Sequence, residues 1–241
     1  MTETPALEFV GVVKQYGALR PLRMTALAVP PRAIVAVKGL DAPAAETFVN
    51  LATGATLPDE GEVRVFGRST AAVSDADEWL TWLERFGIVT DRAVLLEDLT
   101  VAQNLAMTFS LDVDPMAAEL RRTVTEIATI VGLEPALLDR KIATIGALDR
   151  ARVRLGRAVA LGPTLLLLEH PSSTLTDEEA VAFAADVRRV VDLRQLSVIA
   201  LTADAAFASA MTPDVRTHVP ASGAVTADGG TWTRVRRLLG R

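Results

Sequence analysis

RARVRLGRAVALGPTLLLLEHPSSTL, residues 150–175, is the stretch that decides the fold. Its apolar run, Leu165–Leu168, predicts a buried strand, because neither face of that strand is polar. The strand ends at Glu169 and His170, which places a carboxylate and an imidazole at the edge of the predicted sheet. Arginines at positions 150, 154 and 157 share one face of the preceding helical pattern, and we expect them to be solvated.

Similar short runs rich in β-branched residues alternate with helical patterns along the chain. They are Ala33–Val37, Val63–Phe66, Phe86–Val89 and Val198–Leu201. Strands that alternate with helices predict a sheet with parallel members and helices on its faces. The first thirty residues instead alternate in the manner of an antiparallel sheet at one edge.

Helical patterns replace the strand signals between about residues 91 and 161, as in Val101–Phe109 and Pro115–Val131. We therefore predict a single α/β domain over residues 1–241. Its α/β lobe covers about residues 1–90 and 162–241, and a helical lobe of about residues 91–161 is inserted between them.

Composition restricts the class of protein. Half of the 241 residues are apolar, enough for a sizeable core, and the absence of cysteine excludes disulfides and thiolate chemistry. A net charge of −5 argues against nucleic acid as a partner, and we expect the arginines at 234, 236, 237 and 241 to be a solvated helix end. The apolar runs are too short to span a bilayer, so we expect a cytoplasmic protein that reaches a membrane only through a partner.

Six collinear strings resemble the ATPase subunits of ABC transporters over almost the whole chain. They are VVKQYG, AIVAVKG, NLATGATLPDEGEVRVFGR, LLEDLTVAQNLAM, the stretch 150–175, and SVIALTAD at 197–204. The resemblance implies a P-loop NTPase-like ABC cassette with a mixed sheet core, an N-terminal antiparallel β edge and an inserted helical lobe.

The family's phosphate-binding loop, GxxxxGK[ST], is degenerate in this chain. Such a loop uses glycines to expose backbone N–H groups, a lysine to reach the phosphates and a hydroxyl to hold magnesium. Here Gly39 survives, Ala44 replaces the second glycine, Ala45 the lysine and Glu46 the hydroxyl, with Thr47 following. We expect no cofactor, or ATP with magnesium bound only weakly, and no protein metal site.

Two further positions correspond to nucleotide contacts of the family. Tyr16 stands where the family stacks an aromatic ring on adenine, or it is an edge-strand aromatic packed on its neighbours. Asp91 stands where a glutamine senses the γ-phosphate, beside the permease-coupling loop. It either ligates a cation through oxygen or has a loop or helix-capping role.

The family signature LSGGQ opens a helix that points at the nucleotide of the opposite subunit. The matching segment is Ile145-Gly146-Ala147-Leu148-Asp149, which we expect to precede the helix with Asp149 as its cap. Side chains at Ala147 and Leu148 stand where the backbone should approach phosphate. The signature is therefore degenerate as well.

The catalytic end of the buried strand also departs from the family. Glu169 takes the position of the magnesium acid and His170 that of the general base, so His170 is either a base or a structural or interface histidine. Ala203 replaces the switch histidine, and the segment Ser172–Thr176 lacks the family's closing aspartate. His218, the other histidine of the chain, has no obvious partner.

These losses predict a degenerate ABC-type subunit, a pseudo-ATPase that acts as scaffold or regulator of a membrane transport complex. The expected partners are a membrane permease, a second ABC ATPase subunit, or a second copy of the chain. One alternative is a slow ATPase or weak ATP binder with an altered site. Another is a soluble interaction module unrelated to transport.

Overall fold

The computed structural model describes residues 3–73 and 75–227, so the arginine-rich C-terminus lies outside the described residues. Within these two ranges, ten strands and seven α-helices follow one another in the order β1 Leu7–Lys14, β2 Leu22–Val29, β3 Ile34–Lys38, α1 Ala42–Thr53, β4 Glu60–Val65, β5 Arg68–Ser69, α2 Ala76–Leu83, β6 Phe86–Thr90, α3 Val101–Ala106, α4 Ala118–Val131, α5 Ala147–Val159, β7 Leu165–Glu169, α6 Asp177–Arg194, β8 Ser197–Leu201, α7 Ala205–Met211, β9 Val215–Val219 and β10 Ala224–Ala227.

The central sheet has six strands in the order β10-β9-β3-β8-β7-β6. Neighbouring pairs from β9 to β6 are parallel, and β10 is antiparallel to β9. Every residue of β7 and β8 is buried, which explains the apolar runs Leu165–Leu168 and Val198–Leu201 within these strands. The predicted mixed sheet with parallel members is confirmed.

The N-terminal strands pair antiparallel as expected, but they form a sheet of their own. Its order is β2-β1-β4-β5. The run Val63–Phe66 contributes β4 to this second sheet, where Val63 lies opposite Phe9. Its β-branched composition predicts a strand, while only long-range pairing decides which sheet receives it.

Two hydrophobic clusters cover the two faces of the central sheet. One contains α1 and the inner face of the antiparallel sheet, with Phe9 stacked on Phe48 at 4.4 Å between ring centroids. The other joins α3, α4 and α5 with α6, α7 and the opposite strand face. The helices of residues 101–159 therefore share a continuous core with the sheet.

Local sequence signals explain where several helices begin. Thr176 and Glu179 form a capping box at the start of α6, and Thr100 and Gln103 form another at α3. The helix α2 was not anticipated from the sequence, although Asp75 caps it by accepting a hydrogen bond from the Glu78 N–H. Among the described residues, no helix combines the length and apolar character that a membrane crossing requires.

Close backbone contact between α5 and β6 joins the helical segment to the sheet edge. A Cβ added to Gly87 would lie 2.4 Å from the Ala158 carbonyl oxygen. Both groups are backbone or fixed by it, so neither can move aside cheaply.

Gly87→Ala should therefore lower the free energy of unfolding by about 1–3 kcal/mol, as overpacking does. Gly146→Ala is the matched control, because nothing lies within 4 Å of its added Cβ, and it should cost less than about 1 kcal/mol. Urea denaturation of both variants measures the difference. Equal midpoints would show that α5 does not press on β6 as described.

Candidate functional site

Parallel pairing brings the candidate residues to one edge of the central sheet. Val37 of β3 and Glu169 of β7 both lie beside Leu201 of β8 in register. The carboxyl ends of these strands therefore meet, which is where open α/β sheets bind ligands.

Three residues separate helix α1 from β3, and an acidic side chain caps the N-terminus of the helix. Asp41 Oδ1 accepts a hydrogen bond from the Ala44 N–H at 2.9 Å, and its carbonyl accepts one from the Ala45 N–H at 2.8 Å. Pro43, in the first turn, has no N–H to offer. The Thr47 hydroxyl donates to the Pro43 carbonyl at 2.8 Å. The N–H groups of Ala44 and Ala45 and the Thr47 hydroxyl are thus engaged within the chain.

Close packing against a neighbouring strand explains why position 39 is a glycine. Its φ is +91°, and an added Cβ would lie 2.4 Å from the His218 carbonyl oxygen on the neighbouring strand. His218 also has a partner that its sequence context does not indicate, since Nε2 lies 2.7 Å from the Arg23 carbonyl oxygen. The surviving glycine of the loop is explained without a phosphate.

Arg92 lies between the two glutamates of the site. One terminal nitrogen of its guanidinium, Nη1, contacts Glu46, and the other, Nη2, donates to Glu169 Oε2 at 2.6 Å. The Glu169 side chain is only 6% exposed. Burial by itself lowers the pKa of Arg92, but the hydrogen bond to Glu169 and the charges of Glu169 and Glu46 together raise that pKa above its usual value. Arg92 therefore stays charged.

Asp91 does not cap a helix and instead holds two parts of the chain together. Its carboxylate contacts the Ser173 hydroxyl and lies 3.3 Å from Arg154 Nη1.

The expectation that the α5 arginines are solvated is wrong. Arg150 binds Glu97 through two bonds of 2.7 and 2.9 Å, and Arg157 donates to the Val94 carbonyl at 2.8 Å.

The segment matching the signature begins the helix rather than preceding it. Gly146 is the N-cap of α5, and the helix starts at Ala147, so the expectation that Asp149 caps it is wrong. Asp149 lies in the first turn and pairs with Arg152 at 3.0 Å, while Arg152 also reaches the buried Asp186 at 2.7 Å. Ile145 and Leu148 pack into the hydrophobic cluster of the helices.

The strand end after Glu169 is shaped by backbone contacts. His170 has a φ of +43°, unusual for a residue with a side chain, and its N–H donates to the Leu201 carbonyl at 2.8 Å. Its Nε2 is buried and has no hydrogen-bond partner among the described residues. Ala203 is exposed nearby in a depression of about 670 Å³, which His170 and Asp204 also line. Asp204 accepts from the Ser172 hydroxyl at 2.8 Å.

Known proteins with similar sequences are named as ATP-binding proteins of transport systems. The chain is 31% identical over 198 residues to the sulfate/thiosulfate import ATP-binding protein CysA of Caulobacter vibrioides, covering 80% of this chain and 56% of that protein. It is 26% identical over 212 residues to the lipoprotein-releasing system ATP-binding protein LolD of Saccharophagus degradans, covering 86% and 92%. The chain is a homologue of ABC transporter ATP-binding subunits.

Solved structures agree with the fold of an ABC cassette. The cbiO1 subunit of Clostridium perfringens, part of the ABC transporter complex cbiONQ, superposes with a TM-score of 0.77 at 16% identity over 98% of this chain and 96% of that one. MJ0796, a dimeric bacterial ABC transporter cassette, gives 0.71 at 19% identity, covering 88% and 93%. No protein-family profile matches the chain. The chain spans about half the length of the first curated relatives.

The residues at the ABC site do not fit a magnesium nucleotide. Position 45 carries no amine, position 46 carries a carboxylate instead of a hydroxyl, and Asp41 occupies the helix N-terminus. Across residues 3–73 and 75–227, no three His, Cys, Asp or Glu side chains are grouped so that they could hold a metal ion. Glu169, the retained acid of the family, binds Arg92 instead.

Arg92 is the site residue that sequence reasoning missed. It adjoins Asp91, which was identified only by its spacing in the cassette. A usable signal was present, because a glutamate at position 169, at the end of a strand predicted to be buried, is unfavourable without a cation beside it. Arg92 is the first cationic residue after β6 and follows Asp91 directly.

Tyr16 packs at the edge of the α1 cluster and lies within the electrostatic influence of Asp41. Burial and then the Asp41 carboxylate raise the pKa of its phenol above the ordinary 10.0. Since the neutral phenol is favoured in the fold, this part of the stability is present below pH 10 and is lost as the pH rises further.

Alkaline titration of phenolate absorbance should therefore place the Tyr16 midpoint above 10.0, and the chain's single tyrosine makes the signal unambiguous. Asp41→Asn should lower the midpoint but not restore the ordinary value, because burial is the larger cause. Asp98→Asn, at a side chain that is 99% exposed, is the control. A midpoint unmoved by Asp41→Asn would remove Asp41 from the surroundings of the phenol.

Proposed function

We propose that this ABC-type chain is a pseudo-ATPase, a cassette subunit that serves as scaffold or regulator of a membrane transport complex. The observation that carries the proposal is Arg92 bound to both Glu46 and Glu169. In this arrangement the Arg92 guanidinium neutralises Glu169, the acid that stands where the family holds the magnesium ion of the nucleotide. Asp41 at the start of α1 adds negative charge beside it.

The size of the expected loss of affinity supports the proposal. A hydrogen bond to a charged group is worth about 1.5–3 kcal/mol, and the missing lysine and hydroxyl remove two such contacts. Since about 1.4 kcal/mol corresponds to a factor of ten, binding should weaken by about two to four orders of magnitude. Repulsion between phosphate and the carboxylates of Asp41 and Glu46 adds to this loss.

A partner cassette would not restore a complete site. In the family each composite site takes its loop from one subunit and its signature from the other. Here the Asp41 carboxylate accepts the hydrogen bond of the Ala44 N–H at the end of the loop. The signature helix carries Leu148 in place of a glycine, and Asp149 of its first turn pairs with Arg152. This chain would therefore weaken both sites of a pair.

Membrane permeases and other cassettes are the proposed partners. Relatives of the chain are named import ATP-binding proteins, and this similarity supports our proposal that the subunit lies at the inner face of a membrane. A groove of about 420 Å³ between α2, β6 and α5 is lined by Leu83, Phe86 and Arg157, with the exposed Leu80 and Leu161 at its rim. We propose that a permease segment binds in this groove.

Calorimetric titration of the purified protein with magnesium and ATP tests the nucleotide part of the proposal. We expect no saturable heat up to millimolar nucleotide, because the loop offers neither amine nor hydroxyl to the phosphates. The same preparation should unfold cooperatively on heating, which shows that the absence of heat belongs to a folded protein.

Saturable, magnesium-dependent binding would contradict the proposal and favour a weak ATP-binding cassette instead. Tyr16→Ala would then show whether the nucleotide occupies this site. Leu19→Ala is its matched control, since Leu19 lies three residues away and its side chain is fully exposed.

A further inference from the structure

The loop of residues 91–97 is held on two sides by charged and polar contacts. On one side Arg92 reaches α1 and the end of β7. On the other side α5 arginines bind the loop, through Arg154 to Asp91, Arg157 to the Val94 carbonyl and Arg150 to Glu97. The loop therefore connects the edge of the sheet with the helical segment.

Of the two carboxylates that Arg92 contacts, Glu169 is the one that constrains the arginine more strongly. Its carboxylate is almost fully buried at the end of a strand whose residues are all buried. A buried carboxylate without a cation is strongly unfavourable, so the position of Arg92 is determined by Glu169 rather than by solvent. Glu46, about half exposed, adds a second but weaker attachment.

The shape of the guanidinium makes this a mechanical link. Two different nitrogens of one planar, rigid group contact carboxylates on α1 and on β7. The backbone of Arg92 is fixed in turn, because its N–H donates to the Thr90 hydroxyl at 3.3 Å and the Ala93 N–H donates to the Thr90 carbonyl at 3.1 Å. Movement of the loop would separate Arg92 from Glu169.

We propose that Arg92 is a built-in latch that fixes the loop of residues 91–97 to the sheet and thereby sets the position of α5 against it without any bound nucleotide. The inference deepens the proposed function, since it assigns to the closed site a structural task. The helical segment is held in one arrangement by the chain itself. A partner would then meet a preformed surface at the outer side of the loop, where Val94 is exposed.

Hydrogen exchange followed residue by residue, with no nucleotide present, tests the latch. Arg92→Gln keeps a polar side chain but removes the charge, and it should speed exchange of the Ala93 amide at least tenfold while amides of β8 stay unchanged. Arg122→Gln is the matched control, because that arginine is 70% exposed on α4 and should leave the loop unaffected. Glu46→Gln should have a smaller effect than Arg92→Gln, since Glu169 still holds the guanidinium.

A double-mutant cycle separates the latch from general loss of stability. Glu169→Gln alone should also speed exchange at Ala93, and the combined Arg92→Gln/Glu169→Gln variant should exchange little faster than either single variant. If Arg92→Gln does not fold, Arg92→Lys provides the test. It keeps the charge but not the planar fork, so it should reach only one carboxylate and exchange faster than the wild type.

Unchanged exchange of the loop in a folded Arg92→Gln or Arg92→Lys variant would overturn the latch, as would strictly additive effects in the cycle. Because no nucleotide is added, this failure is distinct from failure of the proposed function. Saturable ATP binding by the wild type would refute the pseudo-ATPase while leaving the exchange result to decide the latch.

Discussion

The pairing of the Arg92 guanidinium with the buried carboxylate of Glu169 is the constraint on which the rest of the site depends. Glu169 ends β7, which lies between β8 and β6, and its side chain is only 6% exposed, so its charge is neutralised mainly by the protein. Once Arg92 is placed there, the loop that follows β6 must run close to the sheet. Asp91 then comes within reach of Ser173 and Arg154.

Glycines that close packing requires are present in this chain, whereas residues that contact phosphate in the family are replaced. Gly39 is retained where the backbone of β9 approaches, and Gly87 where the backbone of α5 approaches, because a Cβ at either position would overlap a carbonyl oxygen. By contrast, the positions of the family's lysine and hydroxyl are occupied by Ala45, which is buried in the α1 cluster, and by Glu46, which contacts Arg92. The fold therefore remains that of an ABC cassette, while positions 45 and 46 carry neither an amine nor a hydroxyl.

Several charged residues behave differently from what their position along the chain indicates. The α5 arginines share one helix face, which is typical of solvated residues, yet they bind the loop of residues 91–97. Asp149 suits a helix cap by residue type, but α5 begins two residues earlier and Asp149 pairs with Arg152. Long arginine side chains reach partners several ångströms from their own backbone, and three of the α5 arginines thereby contact the loop of residues 91–97.

Local patterns in the sequence were sufficient for the central strands and the helical segment, while the cassette fold was implied by the resemblance of six strings to ABC transporter ATPases. Period, apolar runs and turn residues act over a few neighbours, so they can be recognised in Leu165–Leu168 or Val198–Leu201 without a structure. The loss of the lysine and hydroxyl at positions 45 and 46 was equally visible. The pairing of Val63 with Phe9 and the contact of Arg92 with Glu46 and Glu169 were decided only by the tertiary structure. These contacts join residues far apart in the chain, and their formation depends on the folding of the elements between them.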